Sequence, residues 1–181
     1  PVGFKYFSQL LFDGTIGIGG EESAGASFLK KDGRVWTTDK DGMIMALLGM
    51  EIMAVMGKSA LKMAGESVEE FGNPKFGRID APCKKEQKQI LKQMSAELIT
   101  ATSVDEDPIT NIRTTSLYND MPIDGIRVET DKGWFVARPS GTEDLYKIYG
   151  ESYKGDLGLV ALLTAGEEIV NAALNGTIEI E

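Results

Sequence analysis

Residues 125–138, which read GIRVETDKGWFVAR, constrain the fold of this chain more than any other stretch. Apolar and polar side chains alternate on both sides of the connection DKG, and β-branched and aromatic residues are frequent, which is typical of paired strands. A three-residue turn at 131–133, with Gly133 in the left-handed conformation, would join them as a hairpin. The C-terminal part of the chain is therefore predicted to contain an antiparallel sheet.

Further strands and helices are predicted around this hairpin. Residues 84–94 are expected to form an amphipathic helix with Ile90, Leu91 and Met94 facing inward, and residues 159–174 to form a closing helix. Three more strand-like stretches are FGRIDAPC at 76–83, NIRTTSL at 111–117 and LYKIYGESY at 145–153. This part of the chain is predicted to be an antiparallel sheet with flanking helices.

The N-terminal part has short β-like runs at 2–7 and 14–18, followed by helices. One helix is predicted for the apolar run MIMALLGMEIMAVM at 43–56, with Asp41 as N-cap and Gly57 as C-cap. Five of the eight methionines lie in this run, which indicates a helix buried on most sides. Because a membrane span needs about 20 apolar residues, no membrane partner is expected.

A second helix is predicted over 59–71, where apolar residues recur at helical spacing before Gly72 and Pro74. The character of the sequence changes at this point, so we expect two units, residues 1–73 and residues 74–181. The first combines β-like runs with helices and the second is built mainly of strands. The expected fold class is therefore α/β plus α+β.

The composition excludes several classes of function. The chain has 28 acidic and 19 basic residues, a net charge of -9, no histidine and one cysteine. A non-specific nucleic-acid surface is not expected at this charge. Without histidine, Ser-His-Asp and Cys-His mechanisms and imidazole metal sites are excluded within the chain. One cysteine and no secretory signal favour a cytoplasmic protein.

A candidate phosphate site follows the second strand of the hairpin, in ARPSGTED at 137–144. Arg138 supplies a planar cation, Ser140 and Thr142 supply hydroxyl groups, and Gly141 allows close approach of the backbone. Turns often contain proline, serine and glycine, so an ordinary turn is the alternative interpretation.

A candidate sugar site lies in GGEESAG at 19–25, where glycines flank Glu21, Glu22 and Ser23. An ionised carboxylate can accept hydrogen bonds from two hydroxyls of one sugar. A solvated acidic turn is the alternative, and no further carboxylates lie at a spacing suited to a metal. Lys5, among apolar residues in VGFKYF, is expected either to reach a cleft or to extend to solvent.

Three stretches together resemble the α-D-phosphohexomutase family. They are GGEESAGASF at 19–28, TDKDG at 38–42 and WFVARPSGTEDLYKIY at 134–149, in this order and at this separation. The likeness covers nearly the whole chain and is strongest to the phosphoglucomutase branch, specific for α-D-glucose phosphates. Other branches often carry a histidine after the loop glycine, where this chain has Ala26 after Gly25.

The resemblance implies a four-domain enzyme of which this chain is a C-terminal fragment. Residues 1–73 would be the end of domain 3, a partial mixed α/β domain, and residues 74–181 would be domain 4. The latter would be a TATA-box-binding-protein-like antiparallel sheet with flanking helices. The missing N-terminal domains would supply the phosphorylated serine and the Mg²⁺ ligands, so we expect the fragment alone to be inactive.

The resemblance also assigns roles to residues of this chain. Glu21 and Ser23 would bind the sugar hydroxyls, Glu22 would help to set the preference for glucose, and Lys40 would face the cleft. Lys5 would be an acid, a base or a charge stabiliser. The non-reacting phosphate would be bound by Arg138, Ser140, Gly141 and Thr142.

The implied reaction interconverts glucose 1-phosphate and glucose 6-phosphate through glucose 1,6-bisphosphate. Two alternatives stay open at this point: a mutase of the mannose or glucosamine type, and a stand-alone phosphosugar-binding module.

Overall fold

The computed structural model describes residues 3–21, 23 and 25–176. The chain divides into two compact units, Pro1–Phe71 and Gly72–Glu181. The elements of the first unit are α1 (Lys5–Phe12), β1 (Ile18–Glu21), β2 (Gly25–Phe28), α2 (Gly42–Met56) and α3 (Ala60–Phe71). The two strands form an antiparallel hairpin, in which Ile18 lies opposite Phe28 and Glu21 lies opposite Gly25.

The stretch predicted as a strand at 2–7 begins a helix instead. Helix α1 starts at Lys5, and Phe4 and Leu11 are both buried. These two side chains are seven residues apart, or about two helical turns, and therefore share one face. The alternating aromatic residues of VGFKYF suggested a strand, because the run is too short to show the seven-residue spacing of a helix face.

The β-like run predicted at 14–18 is also mostly wrong. The chain turns after α1, with Gly14 at a φ of 71°, and the strand begins only at Ile18. The strand pairing therefore lies directly before the acidic loop rather than several residues upstream of it.

Both predicted caps of α2 are confirmed. The Asp41 carboxylate accepts hydrogen bonds from the backbone N–H groups of Met43 and Ile44, at 2.9 and 3.2 Å. Gly57 ends the helix in the left-handed conformation, with a φ of 63°. The side chain of Ser59 likewise accepts from the backbone N–H of Lys62 at the start of α3.

The expectation that α2 is buried on most sides is wrong. No residue of this helix is buried, and Met43 and Val55 are 82% and 77% exposed. Its main packing partner within the unit is β2. One strand of a short hairpin covers too little area to bury a helix that is apolar on all sides.

The second unit is a six-stranded antiparallel sheet with flanking helices, as the sequence predicts. The strands follow the order β3-β8-β7-β6-β5-β4. They are β3 (Lys75–Pro82), β4 (Ser103–Val104), β5 (Asp107–Thr115), β6 (Pro122–Thr130), β7 (Gly133–Pro139) and β8 (Leu145–Ser152). The helices are α4 (Lys85–Lys92), a short 3₁₀ turn at Ala96–Leu98, and α5 (Gly155–Asn175).

The core of the second unit lies between one face of this sheet and the helices. Phe135, Ile148 and Val128 are fully buried on the sheet, and Val170 of α5 is fully buried against them. By length and composition α5 could cross a membrane, and so could α2 and α3 together if their 76° bend is ignored. The buried inner face of α5 is typical of a core helix.

Two details of the second unit differ from expectation. The turn contains two residues, 131 and 132, instead of three, and Gly133 is the first residue of β7 and does not have a positive φ. A Cβ atom on Gly133 would lie 2.5 Å from the Glu151 carbonyl oxygen and 2.7 Å from Leu162, so close packing selects glycine here. Ile90 of α4 is 43% exposed and does not face inward with Leu91 and Met94.

Candidate functional site

The end of the β1–β2 hairpin brings together three of the residues predicted to bind sugar. The Lys40 ammonium group donates to the Glu21 carboxylate at 2.5 Å and lies 3.4 Å from the Ser23 hydroxyl. The Lys40 and Glu21 side chains are 25% and 20% exposed. A partly exposed carboxylate, ammonium and hydroxyl thus form one polar cluster in which all three groups can bond to a polyol.

This cluster depends on a close approach between the hairpin and the segment before α2. Gly25 has a φ of 110°, and a Cβ atom there would lie 2.9 Å from the Asp41 carbonyl oxygen. The Asp41 N–H donates to the Ala26 carbonyl at 3.0 Å. The buried Ser27 hydroxyl donates to the Thr37 carbonyl. These contacts hold Lys40 beside the hairpin.

Asp41 connects the candidate sugar loop to α2. Its carboxylate accepts from the Trp36 indole N–H at 3.0 Å in addition to capping the helix. The Trp36 hydrogen bond, and then the bond from the Ile44 backbone, lower the pKa of this carboxyl below its ordinary value. Asp41 is therefore ionised at neutral pH.

The candidate phosphate loop connects β7 to β8, two adjacent interior strands of the sheet. Arg138 and Lys147 lie opposite each other on these strands, so their side chains share one face. The Arg138 guanidinium lies 5.5 Å from the centroid of the Tyr149 ring, which supports the cation on an aromatic surface. Two positive charges thus lie at the base of the loop, one on the strand before it and one on the strand after it.

The loop between them is closed by its own hydrogen bonds. The Ser140 N–H donates to the Leu145 carbonyl at 2.8 Å, and the Glu143 N–H donates to the Ser140 hydroxyl at 3.2 Å. Gly141 and Thr142 at the tip are exposed. A Cβ atom on Gly141 would meet nothing within 4 Å, and its φ is not positive. The fold itself therefore does not require glycine at the tip.

Lys147, on β8, is paired with a carboxylate of the loop. Its ammonium group donates to the Glu143 carboxylate at 2.6 Å. This hydrogen bond is the largest cause of the raised pKa of Lys147 and of the lowered pKa of Glu143. Both groups are charged at neutral pH, so a bound anion would compete with Glu143 for Lys147.

Two predicted site residues are not part of either cluster as described. Lys5, the first residue of α1, is exposed, and its ammonium group lies 5.1 Å from the centroid of the Tyr6 ring. Within residues 3–21, 23 and 25–176 it makes no hydrogen bond or ion pair with Glu21 or Ser23. Glu22 lies outside the described residues.

Family comparisons identify both parts of the chain. Residues 1–71 match the description "Phosphoglucomutase/phosphomannomutase, alpha/beta/alpha domain III", and residues 79–158 match the C-terminal domain of the same family. The chain belongs to the phosphoglucomutase/phosphomannomutase family. The first matched range contains the Glu21–Lys40 cluster, and the second contains the loop after Arg138.

Individual family members support the same assignment. The chain is 46% identical over 172 residues to the phosphoglucomutase of Komagataeibacter xylinus, covering 95% of this chain and 31% of that protein. It is 27% identical over 158 residues to the "Probable phosphoglucosamine mutase" of Pyrococcus abyssi, covering 87% of this chain and 30% of that protein. The chain thus spans about a third of the length of these relatives.

A solved structure of the family has the same fold. The match is to a phosphoglucomutase/phosphomannomutase family protein from Burkholderia thailandensis, with a TM-score of 0.62 and 21% identity. It covers 97% of this chain and 32% of that one. The expected fold class, a mixed α/β part followed by an antiparallel sheet with flanking helices, is confirmed.

Sequence reasoning missed two cations beside the phosphate loop, Lys147 and Lys88. The alternation of β8 could have placed Lys147 on the face of Arg138, because directly opposed residues of an antiparallel pair point the same way. Lys88 reaches the loop from α4, 55 residues earlier in the chain. No local pattern signals so distant a contact.

The described part of the chain contains no group of three or more His, Cys, Asp or Glu side chains that could hold a metal ion. The clusters at Glu21 and Arg138 are instead suited to hydroxyl and phosphate groups. Cys83, the one cysteine of the chain, is 2% exposed, and burial raises the pKa of its thiol.

Proposed function

We propose that this chain is the substrate-recognition half of a phosphoglucomutase that interconverts glucose 1-phosphate and glucose 6-phosphate. The observation that carries the proposal is the 46% identity with the phosphoglucomutase of Komagataeibacter xylinus along 95% of this chain. Each candidate loop falls within one of the two family domains. Taken separately, the cluster at Glu21 is suited to hydroxyl groups and the loop after Arg138 to a phosphate group, which are the two parts of a phosphosugar.

The proposed reaction requires one site to bind glucose in two orientations. A phosphoserine would donate its phosphoryl group to glucose 1-phosphate, and the other phosphate of glucose 1,6-bisphosphate would return to the serine. Turning the sugar between these steps exchanges the positions of its adjacent 3- and 4-hydroxyls. We assign Glu21 and Ser23 as the hydrogen-bonding partners of this pair, because they lie beside the same ammonium group.

Lys40 would orient Glu21 and face the cleft. Its ammonium group bonds to one oxygen of the Glu21 carboxylate, and the second oxygen of a carboxylate can accept from a sugar hydroxyl. Glu22 would contribute to glucose preference. Lys5 would stabilise charge on the transferring group or act as an acid or base. Its exposed position at the start of α1 leaves the ammonium group open to a ligand.

The phosphate that is not transferred would bind Arg138, Ser140, Gly141 and Thr142. Arg138 can make a bidentate, charge-assisted contact, and the absence of a side chain at Gly141 leaves the backbone open. We add Lys147 to this set because it shares the face of Arg138. Binding energy gained far from the reacting oxygen can position the substrate and so increase the rate.

The remaining parts of the reaction would come from other domains of the same protein. We propose that these supply the phosphoserine and the ligands of Mg²⁺, whose role would be to neutralise charge on the phosphoryl group. We also propose that the exposed face of α2 packs against them, that the protein is cytoplasmic, and that neither nucleic acid nor a membrane is a partner.

Turnover measurements test the proposal. The 181-residue chain should not interconvert glucose 1-phosphate and glucose 6-phosphate, whereas the protein that includes the phosphoserine domain should. Turnover by the isolated chain would contradict the assignment of the chemistry to other domains. Absence of turnover by the longer protein would contradict the proposed activity.

A second candidate is a mutase of the mannose or glucosamine type, favoured by the similarity to the Pyrococcus protein. Rates of the longer protein on glucose, mannose and glucosamine 1-phosphates separate the two. We expect glucose 1-phosphate to react fastest, because Ala26 stands where other branches often carry histidine. If the natural reading frame adds no phosphoserine domain, a phosphosugar-binding module becomes the better interpretation.

A further inference from the structure

Lys88 of α4 connects two elements that are distant in the chain. Its ammonium group donates to the Glu143 carbonyl at 2.5 Å and to the Asp144 carboxylate at 2.9 Å. The Lys88 side chain is only 16% exposed, whereas that of Asp144 is 91% exposed. A mostly buried lysine stem thus carries its charge to the end of an exposed loop.

The helix that carries Lys88 is fixed in the core. Leu91, one turn after Lys88, and Met94, just beyond the end of α4, are 0% and 5% exposed and belong to the core cluster. At its start, the Lys84 N–H donates to the Gln87 side chain at 2.8 Å. The position of Lys88 is therefore set by the core and not by the loop.

The contacts of Lys88 complete a set of anchors at one end of the phosphate loop. The Cys83 N–H donates to the Asp144 carbonyl at 3.0 Å, and the Ser140 N–H donates to the Leu145 carbonyl at 2.8 Å. Gly141 and Thr142 at the tip have no such anchors among the described side-chain and turn hydrogen bonds. The conformation of the tip therefore depends on how firmly Glu143 and Asp144 are held.

We propose that Lys88 is a positioning residue that holds the loop 140–144 in the conformation that binds phosphate, an inference that rests on the proposed function. Lys88 acts through Glu143 and Asp144, because both of its contacts are to the loop itself. The charge-assisted bonds keep the Glu143 carbonyl turned toward α4. Gly141 and Thr142, which are exposed at the tip, are then available to an anion.

The test uses Lys88→Met, which retains most of the buried stem and removes the donor. Lys88→Arg is the rescue variant, and Lys92→Met is the matched control, since Lys92 lies exposed on the same helix. In each variant of the full 181-residue chain, amide hydrogen exchange is measured at residues 141–145, without ligand. Binding of glucose 1-phosphate and of inorganic phosphate is measured in parallel.

We expect exchange at 141–145 to be about tenfold faster in Lys88→Met, while exchange in β7 and β8 is unchanged. Affinity for both ligands should fall about tenfold, because a hydrogen bond to a charged group typically contributes this factor. Lys88→Arg should recover most of the affinity, and Lys92→Met should match the wild type. A residue with only a structural role would change exchange throughout the unit instead.

Unchanged loop exchange in Lys88→Met would overturn the proposal, and so would faster exchange with unchanged affinity. If the wild-type chain binds neither ligand, the phosphate site of the proposed function fails. The exchange data then still decide whether Lys88 holds the loop.

Discussion

The two candidate loops differ in the structure beneath them. The candidate phosphate loop, residues 140–144, joins interior strands of a six-stranded sheet, and one face of that sheet is closed by α5 around Phe135 and Ile148. The candidate sugar loop connects the strands of a two-stranded hairpin. Within the described part of the chain, the buried hydrophobic residues of its unit are Phe4, Leu11 and Ala26.

The difference indicates that the two loops are held in place by different forces. Hydrophobic packing around Phe135 fixes the strands that carry Arg138 and Lys147. Hydrogen bonds such as that between Ser27 and Thr37, together with Gly25, fix the cluster at Glu21. We therefore expect the second unit to be stable alone, and the first to depend on whatever covers α2.

The largest expected effect sharpens this comparison. Phe135→Ala should destabilise the second unit by about 3–5 kcal/mol, because it removes a fully buried ring. Leu47→Ala, on the 55% exposed side chain in α2, should cost less than about 1 kcal/mol. Urea unfolding followed separately for each unit measures both. If the two substitutions reduced the free energy of unfolding by similar amounts, Leu47 and the exposed face of α2 would be packed against another part of this chain.

Alanine substitutions at two glycines of the second unit distinguish an effect on stability from an effect on phosphate binding. A Cβ atom on Gly125 would lie 2.6 Å from that of Arg138, so Gly125→Ala should destabilise by about 3 kcal/mol. Gly141→Ala has open space and should change stability by less than about 0.5 kcal/mol, yet weaken phosphate binding.

Thermal unfolding and glucose 1-phosphate titration of the two glycine variants provide the measurement. If Gly141→Ala bound glucose 1-phosphate as the wild type does, the tip of the loop would not contact phosphate.

Arg138→Ala should weaken glucose 1-phosphate binding by about 2 kcal/mol or more, because a bidentate charge-assisted contact is lost. Arg138→Lys should recover only part of this, since an ammonium group cannot form two parallel bonds. Calorimetry gives the affinities, and circular dichroism shows whether the fold persists. Unfolding of Arg138→Ala would instead assign Arg138 a structural role.

The smallest expected effect is a pH dependence. Because the Lys147 hydrogen bond lowers the pKa of Glu143 below its ordinary value of 4.5, this pair stabilises the fold above that pH. The contribution is lost as the pH falls through the lowered pKa. Glu143→Gln should therefore show a weaker loss of thermal stability below about pH 4.5 than the wild type. Identical pH profiles would mean that the exposed pair contributes nothing.

The sequence predicted the second unit better than the first for a physical reason. Residues 125–138 alternate because one face of their strands is buried, so the period of the sequence reports the structure directly. In the first unit, Phe4 at the N-cap of α1 and Leu11 within α1 share a face, and the short aromatic run concealed this seven-residue spacing. The apolar run of α2 suggested a buried helix, but the side chains of α2 are not buried in this chain.

The candidate sites show the same division between local and distant information. Motifs pointed to Glu21, Ser23 and Arg138 because these residues lie in or directly beside short glycine-containing loops. The bond between Lys40 and Glu21 spans 19 residues and that between Lys88 and Glu143 spans 55. Such contacts depend on tertiary packing, which spacing along the chain does not encode.

The most direct test of the central claim is a titration of the 181-residue chain with glucose 1-phosphate, followed by the amide chemical shifts of Gly19, Gly20, Gly25 and Gly141. We expect Gly141 and its neighbours to shift, because the phosphate loop is supported by its own unit. Shifts at the hairpin glycines as well would show that the sugar loop is also formed in this chain. If Gly141 does not shift at millimolar ligand, the loop after Arg138 is not a phosphate site in this chain.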